Sequence, residues 1–474
     1  MAEQAELDRW LRKLGSELDK KQRPLRGYQD YYDGKHNLVF ATEKFKSAFG
    51  RLFEAFADNF TAVVVDSTEE RMKVQGFRFP PSDDQAKADE TGDKDAWRIW
   101  QANNLDADAQ LAHTEQLVKS ECSLLVWNDP NDEKTPSITV ESALEMVVAR
   151  AAGNRRKRLA AMKRWVDDSG YIFATLYLPD GIYKFRSRSK STNSTAVNYQ
   201  GIRWVPRESE ITGDDAWPLA NPLGVVPVIP MTNQTRLDGS GNSEIENIIP
   251  MQDAINKLGT DMLVASEFVA WPQRYIMGIE LPKDPLTGQP IDSVKVGFDR
   301  LFTTKNKDAR AGEFSAADFS NHIKAIEMYM NHMASTSRTP PHYFLAGMGT
   351  FPTGEAIASS ESGLVAKVVR RCTHAGEAWE DALRLAFAVL DDPRKDAFTA
   401  ETIWGDPSYR SEAEHIDALL KQKAMGVPDE ILWEKAGYSP TEIDRIKQIR
   451  MQEALTLGNA FDPLGELPNP ADAA

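Results

Sequence analysis

From Ile357 to Leu390, the residues Ile357, Leu364, Val368, Cys372, Ala375, Trp379, Leu383, Ala386 and Leu390 keep steps of three, four or seven. That spacing draws one apolar stripe along an α-helix from about Gly354 to Leu390. At 1.5 Å per residue such a helix is roughly 55 Å long, more than most globular domains need. A second stripe, Phe319, Ile323, Ile326, Met330 and Met333, predicts a helix from Ala317 to Ser337. A third, Ile255, Leu258 and Met262, predicts one from Ser243 to about Phe268. There Ser243-Glu244-Ile245-Glu246 fits a capping box, and Pro250 should kink the helix or delay its regular part by a turn or two.

The N-terminal stretch to about Glu70 also reads as helical. DYYDGKHNL (Asp30 to Leu38) breaks it, and Phe45, Phe49, Leu52, Phe53, Phe56 and Phe60 form a core stripe. TAVVVDSTEERMKVQGFRF reads as a strand or helix end feeding a small sheet, and its run AVVVD, Ala62 to Asp66, as a buried strand with a polar end. The polar linker PPSDDQAKADETGDKD leads into helical sequence from Ala96 to about Ser120.

From Ser123 the period changes to two. LLVWND, SITVES and LEMVVAR are strand-like, and AAMKRWV, YIFATLYLP and GIYKFRSR form a meander closed by DDSG and PDG turns. VVPVIP is a proline-limited extended run. WPQRYIMGIELPKDPLTGQPIDSVKVGFDRLFTT, between the second and third predicted stripes, is strand-and-turn material. Glu412 to Leu455 offers two or three short helices broken by GVPD and GYSP, and residues 456–474 read as a disordered tail. The fold class is α+β, mainly helical.

One segment fits none of these patterns. RTPPHYFLAGMGTFPTG follows the Ala317–Ser337 helix with Pro340 and Pro341, a cluster of His342, Tyr343, Phe344 and Leu345, then Gly347, Met348, Gly349 and Phe351. The prolines stop a helix, the glycines leave the loop free to change shape, and the aromatics are costly to expose. Such a loop is either a connector buried in its own subunit or a contact surface.

The chemistry of catalysis is missing. No G-x-x-x-x-G-K-[ST] or G-x-S-x-G occurs. Gly34-Lys35 lacks the upstream glycine spacing, and His322 and His332, ten apart, cannot make an i, i+4 metal pair. No cofactor is expected. Cys122 and Cys372 are too few for a disulfide framework. No apolar run approaches the roughly 20 residues that span a bilayer, and MAEQAELDRWLRKLGSELDKK is not a signal peptide. The net charge of −15, 71 acidic against 56 basic residues, argues against broad phosphate gripping. Arg155, Arg156, Lys157 and Arg158 form the one dense basic cluster: a solvated hairpin end, or else a phosphate contact. Lys184, Arg186, Arg188 and Lys190 alternate on one strand face, toward an acidic neighbour or DNA.

The order of these elements, from about Tyr31 to Leu390, resembles the portal protein of tailed double-stranded DNA bacteriophages. YYDGKHNL, VVVDSTEERMKVQGFRF, NPLGVVPVIP leading to SGNSEIENIIPMQDAINKLGTDMLVASEF, and PPHYFLAG…PTGEAI leading to GLVAKVVRRCTHAGEAWEDALRLA carry the resemblance. It implies a non-enzymatic ring, of twelve subunits in the virion, at one capsid vertex, assembled in the host cytoplasm. Its channel passes duplex DNA inward during packaging and outward during ejection. Implied partners are the terminase large subunit, a head-completion or adaptor protein, and the major capsid and scaffolding proteins.

By position, the resemblance divides the chain into N-terminal helices and β-rich wing (1–242), first stem helix (243–266), clip (267–316), second stem helix (317–338), tunnel loop (339–353), long wing helix (354–391) and crown (392–455). It makes 340–351 the channel constriction, with aromatics packed loop against loop, and Phe319, Ile323, Ile326, Met330 and Met333 a seam between stem helices. The remaining alternatives are a metal-dependent nuclease component and a generic oligomeric scaffold.

Overall fold

The structure is a computed structural model that describes residues 3–36, 47, 57–79, 92–190, 201–207, 218–270, 274–277, 310–313, 319–344, 354–408 and 412–460. It is a mixed α+β chain whose strand pairs, among the described residues, are all antiparallel. It divides into two units, one of residues 1–35, 59–249 and 333–474, the other of 36–58 and 250–332.

The larger unit is built on sheets. Helix α1 (Gln4–Tyr32) lays Leu7, Trp10, Leu11, Leu14 and Leu18 against Ala160, Met162, Ala174, Leu176, Tyr183 and Phe185. These are the every-second residues of β5 (Asn154–Val166), β6 (Ile172–Tyr177) and β7 (Gly181–Ser187), so a period of 3.6 meets a period of two across one core. Each fully buried leucine there stabilises by about 1.5–3 kcal/mol before entropy is counted. The sheet runs β4-β5-β6-β7-β8, with β4 at Met146–Ala151, β8 at Trp204–Pro206 and β9 (Leu219–Ala220) added to β7. The DDSG turn is present, with Gly170 at φ 83°.

A second sheet, β10-β2-β3, joins Val228–Thr232 to Glu121–Asp129 and Asp132–Ser142. Pro230 sits in β10, an edge strand, where its missing N–H costs no ladder bond.

Helix α2 (Phe60–Glu69) corrects the reading of AVVVD as a strand. The Asn59 side chain caps its N-terminus by accepting from Ala62 N, and the buried residues Thr61, Val64, Val65 and Thr68 follow a helical period. Asp66 accepts a 2.9 Å hydrogen bond from Tyr32 Oη. The predicted helix from Ala96 to Ser120 is two, α3 (Lys94–Ala102) and α4 (Leu105–Lys119), parted at Asn104 in the left-handed region. Strand β1 (Val74–Arg78) pairs with β13 (Glu401–Trp404), inside the segment read as crown.

In the smaller unit, helix α5 (Ile249–Ala270) begins six residues later than Ser243, with Pro250 in its first turn. The capping box is not formed. Ser243 Oγ instead donates to Val118 O at 2.6 Å, tying the chain to the end of α4. Of the predicted apolar stripe only Ile255 is fully buried, and the buried face is polar: Gln252, Asn256 and Thr260. Gln252 donates to Asp58 O at 2.7 Å, and Asn256 meets His36 Nδ1 at 2.7 Å. Strands β11 (Arg274–Met277) and β12 (Arg310–Glu313) pair as the ends of the segment read as clip. Helix α6 (Ser320–Ser337) runs on into the larger unit at Met333.

Helix α7 (Gly354–Val389) matches the long stripe, with Leu364, Val368, Ala375, Trp379, Leu383 and Ala386 all fully buried. Helices α8 (Glu412–Ala424), α9 (Asp429–Lys435) and α10 (Pro440–Ala460) follow, separated at Gly426 and Gly437, both at positive φ. Residues 456–460, read as tail, are helical. Among the described residues no helix is long and apolar enough to cross a membrane.

Candidate functional site

Helix α6 ends before its prolines. Arg338 adopts φ 56° and the N–H of Thr339 bonds to Ala334 O at 3.1 Å, which is a Schellman closure with arginine where glycine is usual. Pro340 and Pro341 then stand one and two residues beyond the closed end and keep it from continuing. Pro341–Tyr343 forms one 3₁₀ turn.

Pro341 and His342 of that turn are exposed, while Tyr343 and Phe344 point into their own subunit. Phe344 is 6% exposed and packs edge-on against Phe60, ring centroids 6.0 Å apart. Tyr343 Oη accepts from Arg71 Nη2 at 2.6 Å, and Arg71 also reaches Glu361 at 3.3 Å and Pro407 O at 2.8 Å. Glu361 is buried and the Arg71 side chain is 12% exposed. A shared guanidinium therefore ties the loop's base to α7 and to the chain after β13.

Six to ten residues farther along α7 lies a second joint, at Lys367 and Arg371. Arg371 Nε donates to Glu244 Oε1 at 2.6 Å, and Asn233 and Gln234 donate to the same oxygen at 2.9 and 3.1 Å. Lys367, 4.0 Å from Glu244, donates to Ser337 O at 3.0 Å, an end carbonyl of α6. Burial alone would raise the Glu244 pKa; the charges of Arg371 and Lys367 outweigh it and hold the carboxylate ionised. Burial pushes Lys367 down to about 8, against the pull of Glu244. Gly241 makes the joint possible. A Cβ there would lie 2.4 Å from Ser120 O and 2.7 Å from Thr232 Cγ2. The segment leading to α5, the end of α6 and the middle of α7 are thus fastened at one place.

Of the predicted loop residues, Pro340, Pro341, His342, Tyr343 and Phe344 are described; Leu345, Gly347, Met348, Gly349 and Phe351 lie outside the described residues. Within the subunit, Tyr343 meets Arg71 and Phe344 meets Phe60. In the stem stripe Met333 is buried, Phe319, Ile326 and Met330 are half-buried and Ile323 is 43% exposed.

Arg155, Arg156, Lys157 and Arg158 open β5 after the β4–β5 turn, as a hairpin end. Arg158 is committed to Asp381. Arg186 and Lys190 lie over the ring of Tyr171, at 5.3 and 5.2 Å. No cluster of three metal-ligating side chains occurs among the described residues, and both cysteines are buried as free thiols.

Residues 17–454 match the family model described as phage portal protein, SPP1 Gp6-like. The chain belongs to the phage portal protein family. It is 31% identical over 408 residues to the portal protein of Mycobacterium phage D29, covering 82% of this chain and 78% of that one. It is 30% identical over 407 residues to the portal protein of Mycobacterium phage L5, with the same coverage. The family is structural and not enzymatic, and its members are oligomeric virion proteins through which DNA passes.

Sequence reasoning missed Arg71, Glu244, Glu361, Lys367 and Arg371. The signal was present for three of them: Glu361, Lys367 and Arg371 stand beside Leu364, Val368 and Cys372 on the buried side of α7, where an unpaired charge would be prohibitive.

Proposed function

We propose that the chain is one subunit of a twelve-membered portal ring at a capsid vertex, the conduit for double-stranded DNA in packaging and ejection. In this reading α5 and α6 are the stem helices, the segment between them is the clip, the β4–β8 sheet is the wing, α7 is the wing helix and α8–α10 are the crown. Residues 345–353 are the part of the tunnel loop that meets the channel. The clip receives the terminase motor and afterwards the head-completion protein.

The observation that carries this reading is the anchored base of the loop. Arg71, Glu361 and Phe60 hold residues 339–344, while Lys367 holds the end of α6. A loop fixed at its base by buried charge can transmit force from DNA to the long helix without unfolding. The net charge of −15 suits sliding, since each lysine fixed on a phosphate would act as friction. Electron microscopy of the purified chain tests the proposal: rings with an axial channel wide enough for a duplex are expected, and monomers or closed discs at assembly concentrations refute it.

A further inference from the structure

The β4–β5 hairpin end has a role that a DNA conduit does not require. Between it and α7 lies a cleft of about 590 Å³ lined by Arg150, Arg155, Arg156, Arg158 and Arg384, against two carboxylates, Glu377 and Asp381. Asp381 is taken by both Arg158 and Arg384. Arg150 is held by Gly239 O and Thr232 Oγ1, and Arg155 reaches only Arg236 O, at 3.4 Å. The side chains of Arg156 and Lys157 have no hydrogen-bond or ion-pair partner among the described residues. Phe398, 76% exposed, stands at the cleft's rim under Arg384, 5.1 Å from its ring. His374, also in the cleft wall, has its pKa lowered by burial and then by Arg370, Arg371 and Arg155.

A cleft of this size admits a few side chains, not a duplex, and its mix of cations with an exposed aromatic suits a ligand that is both acidic and apolar. We propose that the cleft binds this chain's own segment Phe461–Asp472, from the same subunit or a neighbouring copy. That segment, FDPLGELPNPAD, carries Asp462, Glu466 and Asp472 with no lysine or arginine, and Phe461, Leu464 and Leu467 as apolar anchors. Pro463, Pro468 and Pro470 restrict its backbone, which lowers the entropy lost on docking.

The reach is short. Helix α10, which ends at Ala460, is tied to Lys94 through Asp444 at 2.6 Å. The neighbouring Asp93 and Asp95 hold Arg394, four residues before Phe398. Twelve extended residues span up to about 40 Å.

Zero-length carbodiimide cross-linking of the full chain, read by mass spectrometry, tests the proposal. Lys163 and Glu141, 2.6 Å apart, are the internal control. A cross-link from Lys157 to Asp462, Glu466 or Asp472 is expected. Its yield should fall about tenfold in Arg155→Glu, Arg156→Glu, since two exposed pairs become repulsions, while the control stays constant. Both substitutions lie on the exposed hairpin, so folding is not at risk. Absence of the Lys157 cross-link with the control present overturns the proposal, as does a yield that the double variant leaves unchanged. A short duplex that binds in place of the segment, and is released by the same double variant, overturns it in favour of nucleic acid.

Discussion

Helices α6 and α7 carry apolar stripes of the same kind, and the fold treats them differently. Along α7 the stripe is buried from Leu364 to Ala386 by the chain's own sheets and helices. Along α6 only Met333, Ala334 and Ser337 near the C-terminus are buried, while Ile323 and Met328 are 43% and 45% exposed. Periodicity states that a helix has an apolar face; it does not state whose surface that face meets. Among the described residues, the difference separates a helix whose stripe its own chain covers from one whose stripe stays partly exposed.

The charged residues sharpen the contrast. On α7, Glu361, Lys367 and Arg371 are buried and paired, whereas α6 buries no charged residue. The long helix is therefore a rigid spine to which the loop base and the end of α6 are attached.

The largest effect should come from breaking the spine. Arg371→Ala leaves Glu244 buried with only Lys367, 4.0 Å away, as a cation, a loss of about 3 kcal/mol. Chemical denaturation should show it, and Glu244→Gln with Arg371→Met should recover a good part. An unchanged midpoint for the single variant would remove the joint from the stability argument. Ile326→Asp on α6 should do the opposite. The subunit should melt near the normal temperature, and light scattering should find the ring lost, because an acid in each seam costs several kcal/mol or must stay neutral. If the subunit itself unfolds, α6 is core and the contrast fails.

The same core supplies a pH dependence. His113 on α4 is buried against Trp379 of α7, whose Nε1 donates to His113 Nε2 at 3.1 Å. Burial pushes its pKa from the ordinary 6.5 down to about 3. The unfolded chain takes up this proton near 6.5 and the folded chain only near 3, so the stability is complete above pH 6.5 and is lost as pH falls toward 3. Unfolding free energies at pH 7 and pH 4 should differ by several kcal/mol, and His113→Asn should flatten that slope. At the loop base, Tyr343→Phe removes the bond to Arg71 and should cost about 1 kcal/mol, with rings still formed.

Much of this architecture was legible before the coordinates. The ends of α7, the β5–β6–β7 meander and the three C-terminal helices follow directly from period and turn residues. What escaped was set by tertiary partners. AVVVD is β-branched yet helical because Asn59 caps it and Val64 and Val65 face the core. The segment at Ser243 looks like a helix start, but its hydroxyl is claimed by Val118 O. Glu401–Trp404 is too short a run to read as a strand until β1 pairs with it. The aromatic cluster of the loop was ambiguous for the same reason. Nothing in the local sequence tells that Tyr343 meets Arg71 and Phe344 meets Phe60, over 270 positions away.

The smallest expected effect tests the closure of α6. Arg338 holds a left-handed conformation that costs an ordinary residue roughly 1–2 kcal/mol. Its side chain also adds positive charge near Lys367. Comparing Arg338→Gly with Arg338→Ala separates the two contributions, since both remove the charge and only glycine relieves the backbone. Glycine loses more freedom on folding, which offsets part of that relief by about 0.5–1 kcal/mol. The glycine variant should therefore be more stable than the alanine variant by a residual of about 0.5–1 kcal/mol. Both should raise the Lys367 pKa from its depressed value, by removing the nearby cation. If alanine is instead the more stable, the helix end rearranges when the arginine is lost. In that case the guanidinium, and not the Thr339-to-Ala334 bond, is what closes α6 above the loop.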